Sequence, residues 1–171
     1  MLKDPLDGLD RPILVFSGNF GSGKSEVSVN TAFRLSRKGR KTAIVDLDVV
    51  NPYFRCREAR EALEDEGIEV IAPGGELRDA DLPIILPEIR GRIGNFDGVL
   101  ILDVGGDDIG ARALASLKDL LSKKSHHFIM VINERRPFTR DLEGALATIE
   151  RIEGAAKTKA TALVGNTHLM E

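Results

Sequence analysis

The segment Gly18-Asn19-Phe20-Gly21-Ser22-Gly23-Lys24-Ser25 fits G-x-x-x-x-G-K-[ST], the phosphate-binding P-loop. No other feature constrains the fold as much, because this pattern works only between a strand and a helix. The apolar run Ile13-Leu14-Val15-Phe16 precedes it, and a helix-periodic stretch from Ser25 to about Arg37 follows. Glycines let backbone N–H groups turn inward around phosphates with no Cβ in the way. The next helix adds unpaired N–H donors and the positive end of its dipole. In such a loop Lys24 is expected to reach the β- and γ-phosphates, and the Ser25 hydroxyl to ligate Mg²⁺. The candidate nucleotide-binding segment is therefore Gly18, Asn19, Phe20, Gly21, Ser22, Gly23, Lys24, Ser25 and Glu26, with a nucleoside di- or triphosphate as its ligand.

The rest of the chain alternates strands and helices. The run Thr42–Leu47 reads as a buried parallel strand carrying Asp46 and Asp48 to its C-terminal end, where ligands sit in open α/β sheets. One aspartate is expected to face the nucleotide while the other supports the loop. A helix from about Phe54 to Asp65 and a short strand Glu69–Ala72 follow. Residues from Pro73 to Pro83 read as loop. The next helix, about Ile84 to Ile93, contains Pro87, which is expected in a first turn or as a break. This region is a candidate lid or partner surface, or an ordinary crossover.

The strand Gly98–Asp103 is apolar and closes on an aspartate, which can hold Mg²⁺ or one of its waters. Asp103 and Gly106 form D-x-x-G, whose glycine N–H could sense a γ-phosphate. A helix Ile109–Leu121 is expected to turn Leu114, Leu117, Leu120 and Leu121 inward. His126 and His127 open the strand that runs to Ile132; adjacent strand residues face opposite sides, so they make a poor shared metal site. Thr139 is expected to cap the next helix, whose apolar stripe is Leu142, Ala145, Leu146, Ile149 and Ile152. A sixth strand, Ala160–Val164, leads into Gly165-Asn166-Thr167. Six such strands imply an α/β fold: a mostly parallel sheet with helices on both faces.

Composition narrows the function classes. No apolar run approaches the ~20 residues of a membrane span, and the N-terminus lacks the apolar segment of a signal peptide, so a cytoplasmic location and no membrane partner are expected. A net charge of −3 argues against nucleic acid as the main partner. The single Cys56 can form no internal disulfide and gives no metal-ligand spacing.

The P-loop, Asp46-Leu47-Asp48 followed by Asn51-Pro52, Asp103-Val104-Gly105-Gly106 and the strand ending in Asn166 together resemble the MinD/ParA/CobQ-CobB group of P-loop ATPases. The resemblance spans about Ile13 to Thr167. It implies the P-loop NTPase fold; the length of 171 residues suggests one domain, so residues 1–171 are expected to form a single nucleotide-binding domain. The resemblance also implies that Asp48 orients an attacking water and lies near the metal, that Asp103 lies near Mg²⁺, that Gly106 belongs to the second switch, and that Asn166 contacts adenine. Lys24 and Asp48 are thus the catalytic candidates; Ser25, Asp48 and Asp103 are the metal candidates; ATP or ADP with Mg²⁺ is the expected ligand. The guanine signature N-K-x-D is absent after both late strands, which favours ATP.

Two departures stand out. Family members place a signature lysine directly after the first P-loop glycine, where this chain has Asn19; such a lysine acts across a nucleotide-bridged dimer. Arg55 and Arg135 are the residues that could substitute. Members also continue well past the position of Glu171, so a truncated or minimal form is expected. The lone Cys56 disfavours an iron–sulfur or nickel carrier role. The resemblance implies a slow, nucleotide-controlled ATPase switch acting on a protein partner, with a homodimer as a further arrangement. A CobQ/CobB-like ligase or kinase on a small molecule and a non-hydrolysing nucleotide-binding module are the alternatives.

Overall fold

The structure, a computed structural model, describes residues 6, 8–48, 59–71 and 82–167. Strand β1 (Ile13–Ser17) runs into the P-loop and helix α1 (Lys24–Arg37). Then come β2 (Thr42–Leu47), α2 (Arg60–Asp65), β3 (Glu69–Ile71), α3 (Leu82–Asn95) and β4 (Val99–Val104). The chain closes with α4 (Asp108–Ser116), α5 (Lys118–Leu121), β5 (His126–Ile132), α6 (Leu142–Ala156) and β6 (Ala162–Gly165). The strands form one sheet in the order β3-β2-β4-β1-β5-β6, and every pairing is parallel.

Alternation along the buried strands sends successive side chains to opposite faces, and each face has its own core. Leu14 and Phe16 of β1, Ile44 of β2 and Ile101 of β4 pack with Val29, Ala32 and Leu35 of α1 and Leu63 of α2. On the other face Val15, Val45 and Leu102 pack with Ile89 and Ile93 of α3, Leu114 of α4, Leu121 of α5 and Ile152 of α6. The α/β sheet with helices on both faces, expected from the strand–helix alternation, is what forms. Burial on both faces explains why β2 and β4 read as unbroken apolar runs; their aspartates are the exceptions.

Several local expectations change. Helix α3 begins at Leu82 and takes in Pro83, both expected to be loop. Pro87 sits in its second turn without ending it, so the helix tolerates the loss of one backbone donor. The stretch expected as one helix, Ile109–Leu121, divides into α4 and α5 at Leu117, which is itself fully buried with Leu114. Asp141, not Thr139, caps α6: its carboxylate accepts from the Gly144 N–H at 2.8 Å. Thr139 instead closes a 3₁₀ turn (Pro137–Thr139), with its hydroxyl donating to the Asn133 carbonyl at 2.5 Å. Leu142 and Leu146 are exposed, because α6 meets the core through Thr148, Ile152 and Ala156. The expected helix before Arg60, Asn51-Pro52, Arg55, Cys56 and the loop from Pro73 lie outside the described residues.

Candidate nucleotide-binding site

The P-loop bends where its glycines permit. Gly21 (φ 73°) and Gly23 (φ 82°) occupy the left-handed region, which costs a residue with a Cβ roughly 1–2 kcal/mol. Gly23 is also the N-cap of α1 and offers no side chain to its first turn. The leading N–H groups of α1 therefore lack a side-chain cap, as an anion-binding helix start requires.

Four charged side chains gather beneath this loop. Asp46 and Asp103 are register partners on β2 and β4, and both lie on the face that α1 covers. Both are completely buried, and Asp48 and Lys24 are only 2% and 4% exposed. The Lys24 ammonium pairs with Asp48 Oδ2 at 2.7 Å. The Asp48 N–H donates to Asp46 Oδ1 at 3.0 Å. The two aspartates thus take different partners. The strand ends at Leu47, so Asp48 escapes the strand's two-residue alternation and reaches Lys24, while Asp46 holds the turn.

Asp103 is the unusual member. Neither carboxylate oxygen has a hydrogen-bond partner of ordinary geometry among the described residues. Burial pushes its pKa up to about 7; the nearby Ser25 hydroxyl and Lys24 ammonium pull it down, while Asp46 and Asp48 raise it further. A fully buried carboxylate with so little direct pairing is costly unless a cation reaches it. Mg²⁺ fits that need: a hard cation that takes few protein oxygens and keeps waters and phosphate oxygens. Among the described residues no group of three or more His, Cys, Asp and Glu side chains could hold a metal ion; Ser25 and Asp103 suit a metal carried in with a nucleotide.

Gly106 touches the loop directly. A Cβ there would lie 1.8 Å from the Gly18 carbonyl oxygen, so only glycine permits this approach. The geometry brings the end of β4 against the start of the P-loop, while the Ser17 hydroxyl reaches toward the Gly105 carbonyl at 3.5 Å. Asn166, at the end of β6, donates from Nδ2 to the Ser22 carbonyl at 2.9 Å. Phe20 and Glu26 are exposed at the rim, and Asn19 is half-buried.

The structure also adds a residue that the sequence did not single out. Arg136, not Arg135, meets the loop: its Nε donates to the Gly21 carbonyl at 2.9 Å. Arg135 is exposed, with its backbone N–H bonded to Asn133 Oδ1. The neighbouring placement of β1 and β5 was the signal, since it sets the loop after β5 beside the P-loop.

Fold and site together define a P-loop NTPase. More narrowly, residues 8–62 match the family model described as ParA, NUBPL iron-transfer P-loop NTPase, and the resemblance to ParA-type proteins is borne out. The cytosolic Fe-S cluster assembly factor cfd1 of Aspergillus clavatus is 34% identical over 125 residues, covering 69% of this chain and 38% of that protein. The factor of the same name from Coccidioides immitis is 36% identical over 91 residues, covering 53% of this chain and 25% of that protein. The matched chain thus spans well under half of these relatives. Among solved structures, the BceF tyrosine kinase domain matches with TM-score 0.61 at 20% identity, over 91% of this chain and 69% of that one. The cell division protein FtsY of Thermotoga maritima matches with TM-score 0.61 at 18% identity, over 90% and 52%. These two establish the fold alone.

Proposed function

We propose that the chain is a Mg²⁺-dependent ATP-binding domain whose slow hydrolysis sets a state read by a protein partner. The observation that carries this reading is the buried Lys24–Asp48 pair at the mouth of the P-loop. A lysine held there at 2.7 Å from a carboxylate has a natural second partner in the β- and γ-phosphates. When phosphate takes the ammonium, Asp48 is released to orient a water. Ser25 and Asp103 would hold Mg²⁺, which supplies charge neutralisation at the phosphates. The residues Gly18 through Glu26, with Gly106, form the phosphate cradle in this reading, and Asn166 stands beside it for the base. Asn19 leaves the loop without the lysine expected in dimer-activated relatives, so the basal rate is slow and a homodimer or other partner is the source of any acceleration.

Phosphoryl transfer to water depends mainly on positioning and charge stabilisation. Single-turnover hydrolysis of ATP by the wild type and by Asp48→Ala tests the assignment. A slow wild-type rate, lowered further in the variant while affinity is nearly kept, is expected. Equal rates would remove Asp48 from catalysis.

The names of the relatives favour a second reading, a part in iron–sulfur cluster assembly. The sequence has one cysteine, Cys56, so a cluster needs further ligands from outside these residues. Anaerobic reconstitution with iron and sulfide, followed by visible absorption of the wild type and Cys56→Ser, decides it. We place the protein in the cytoplasm, in line with relatives named cytosolic; among the described residues no helix is long and apolar enough to cross a membrane.

A further inference from the structure

The P-loop is gripped from two sides, and the two sides differ chemically. On the β4 side Gly106 presses on Gly18, and Asp48 and Asp103 surround Lys24. On the β5–β6 side Arg136 donates to the Gly21 carbonyl and Asn166 to the next carbonyl, Ser22. The glycines between keep both contacts close: a Cβ on Gly21 would lie 2.9 Å from Arg136 Nε, and one on Gly23 would lie 2.1 Å from Asn166 Nδ2. The sheet order β2-β4-β1-β5-β6 sets these two flanks on opposite sides of β1.

Resting on the nucleotide-binding reading above, we infer that Arg136 is a positioning residue for the nucleoside-monophosphate half of the ligand, acting from the flank opposite the metal. The terminal phosphate must lie with Lys24 and the carboxylates that suit Mg²⁺. The remainder of the nucleotide then leaves the loop over the ends of β5 and β6, where Arg136 stands. A guanidinium has five N–H donors in a fixed plane. One of them holds Gly21, and the same group forms no ion pair among the described residues. The loop that carries it is tied down: Asn133 accepts from the Thr139 hydroxyl and from the Arg136 N–H, and Asn133 Oδ1 accepts from the Arg135 N–H. A cation so held, beside the α-phosphate, ribose and base, interacts with what ATP and ADP share. It sets affinity, and it is not the transition-state cation that position 19 lacks.

The test uses the whole chain, with calorimetric Kd values for MgATP and MgADP and single-turnover hydrolysis at saturating ATP. Arg136→Ala should weaken ATP and ADP to the same extent, about tenfold, as expected for loss of one charge-assisted contact. The saturated hydrolysis rate should stay unchanged, so KM moves and kcat does not. Arg136→Lys should recover part of the affinity through its charge. Arg136→Gln, which keeps a donor for Gly21 without the charge, should not. Melting without nucleotide should match the wild type, because the side chain is exposed. A loss confined to ATP, a fall in the saturated rate, or full affinity in Arg136→Ala would overturn the inference. Wild-type protein that binds neither nucleotide would instead overturn the nucleotide-binding reading on which it rests.

Discussion

Replacing Lys24 by alanine tests whether the site is held together by charge before any ligand arrives. Lys24 faces Asp48 at 2.7 Å, and both side chains are at most 5% exposed. At an effective dielectric of about 20 the gross attraction at that distance is roughly 6 kcal/mol. Much of this offsets the cost of taking both ions out of water, so the net worth of the pair is small. Removing one partner is different. In Lys24→Ala the side chains of Asp46, Asp48 and Asp103 stay buried together, and Asp48 and Asp103 lose the ammonium beside them. Breaking a buried pair in this way costs about 3–5 kcal/mol. At about 2–4 °C per kcal/mol for a chain of this size, melting should fall by roughly 6–20 °C. Adding Asp48→Asn should recover at least about 1 kcal/mol, since it removes a charge left without its partner. Thermal melting of the wild type, both single variants and the double variant in metal-free buffer measures the cycle. The same four proteins with MgADP at about a hundred times the wild-type Kd should show a shift equivalent to about 2.7 kcal/mol only where Lys24 is present. Strictly additive losses around the cycle, or an unchanged nucleotide shift in Lys24→Ala, would refute the reasoning.

Three further outcomes follow from the same site. Because burial lifts the Asp103 pKa to about 7, above its unfolded value, the folded state holds a proton that the unfolded state releases. Stability of the metal-free protein should therefore fall as pH rises from about 4 through 7, by at most about 4 kcal/mol. Asp103→Asn should flatten that slope and raise the melting temperature at pH 8 in EDTA; a slope unchanged by the substitution would rule out Asp103 as its source. Gly106→Ala drives a Cβ into the Gly18 carbonyl, so the β4 end must withdraw from the P-loop, and MgATP affinity should drop at least tenfold; wild-type affinity in that variant would show the contact is dispensable. The missing guanine signature leads us to expect at least tenfold tighter binding of ATP than GTP, a difference of about 1.4 kcal/mol, measurable by paired calorimetric titrations, with equal affinities counting against it.

Local chemistry was enough to specify the P-loop, the strand–helix alternation and the buried aspartates at strand ends. Each depends on short-range rules: glycine where φ is positive, a glycine-rich turn between an apolar run and a helix, an apolar strand closing on an acid. That is why Ile13–Ser17, Thr42–Leu47 and the Asp103 strand could be read almost residue for residue. Helix faces were harder. Leu142 and Leu146 fit an apolar stripe, yet α6 buries its Thr148–Ile152–Ala156 side, because the docking angle of a helix is set by the neighbours it meets. Thr139 had the chemistry of a cap, but the Asn133 carbonyl claimed its hydroxyl from six residues away.

The pairing of Lys24 with Asp48, the register match of Asp46 with Asp103, and the convergence of Arg136 and Asn166 on successive P-loop carbonyls belong to the tertiary structure alone. Each joins residues far apart in the chain, and strand order decides which of them meet. The motif residues could name a phosphate cradle. Only the placement of β1 between β4 and β5 gave that cradle the aspartates on one flank and Arg136 with Asn166 on the other.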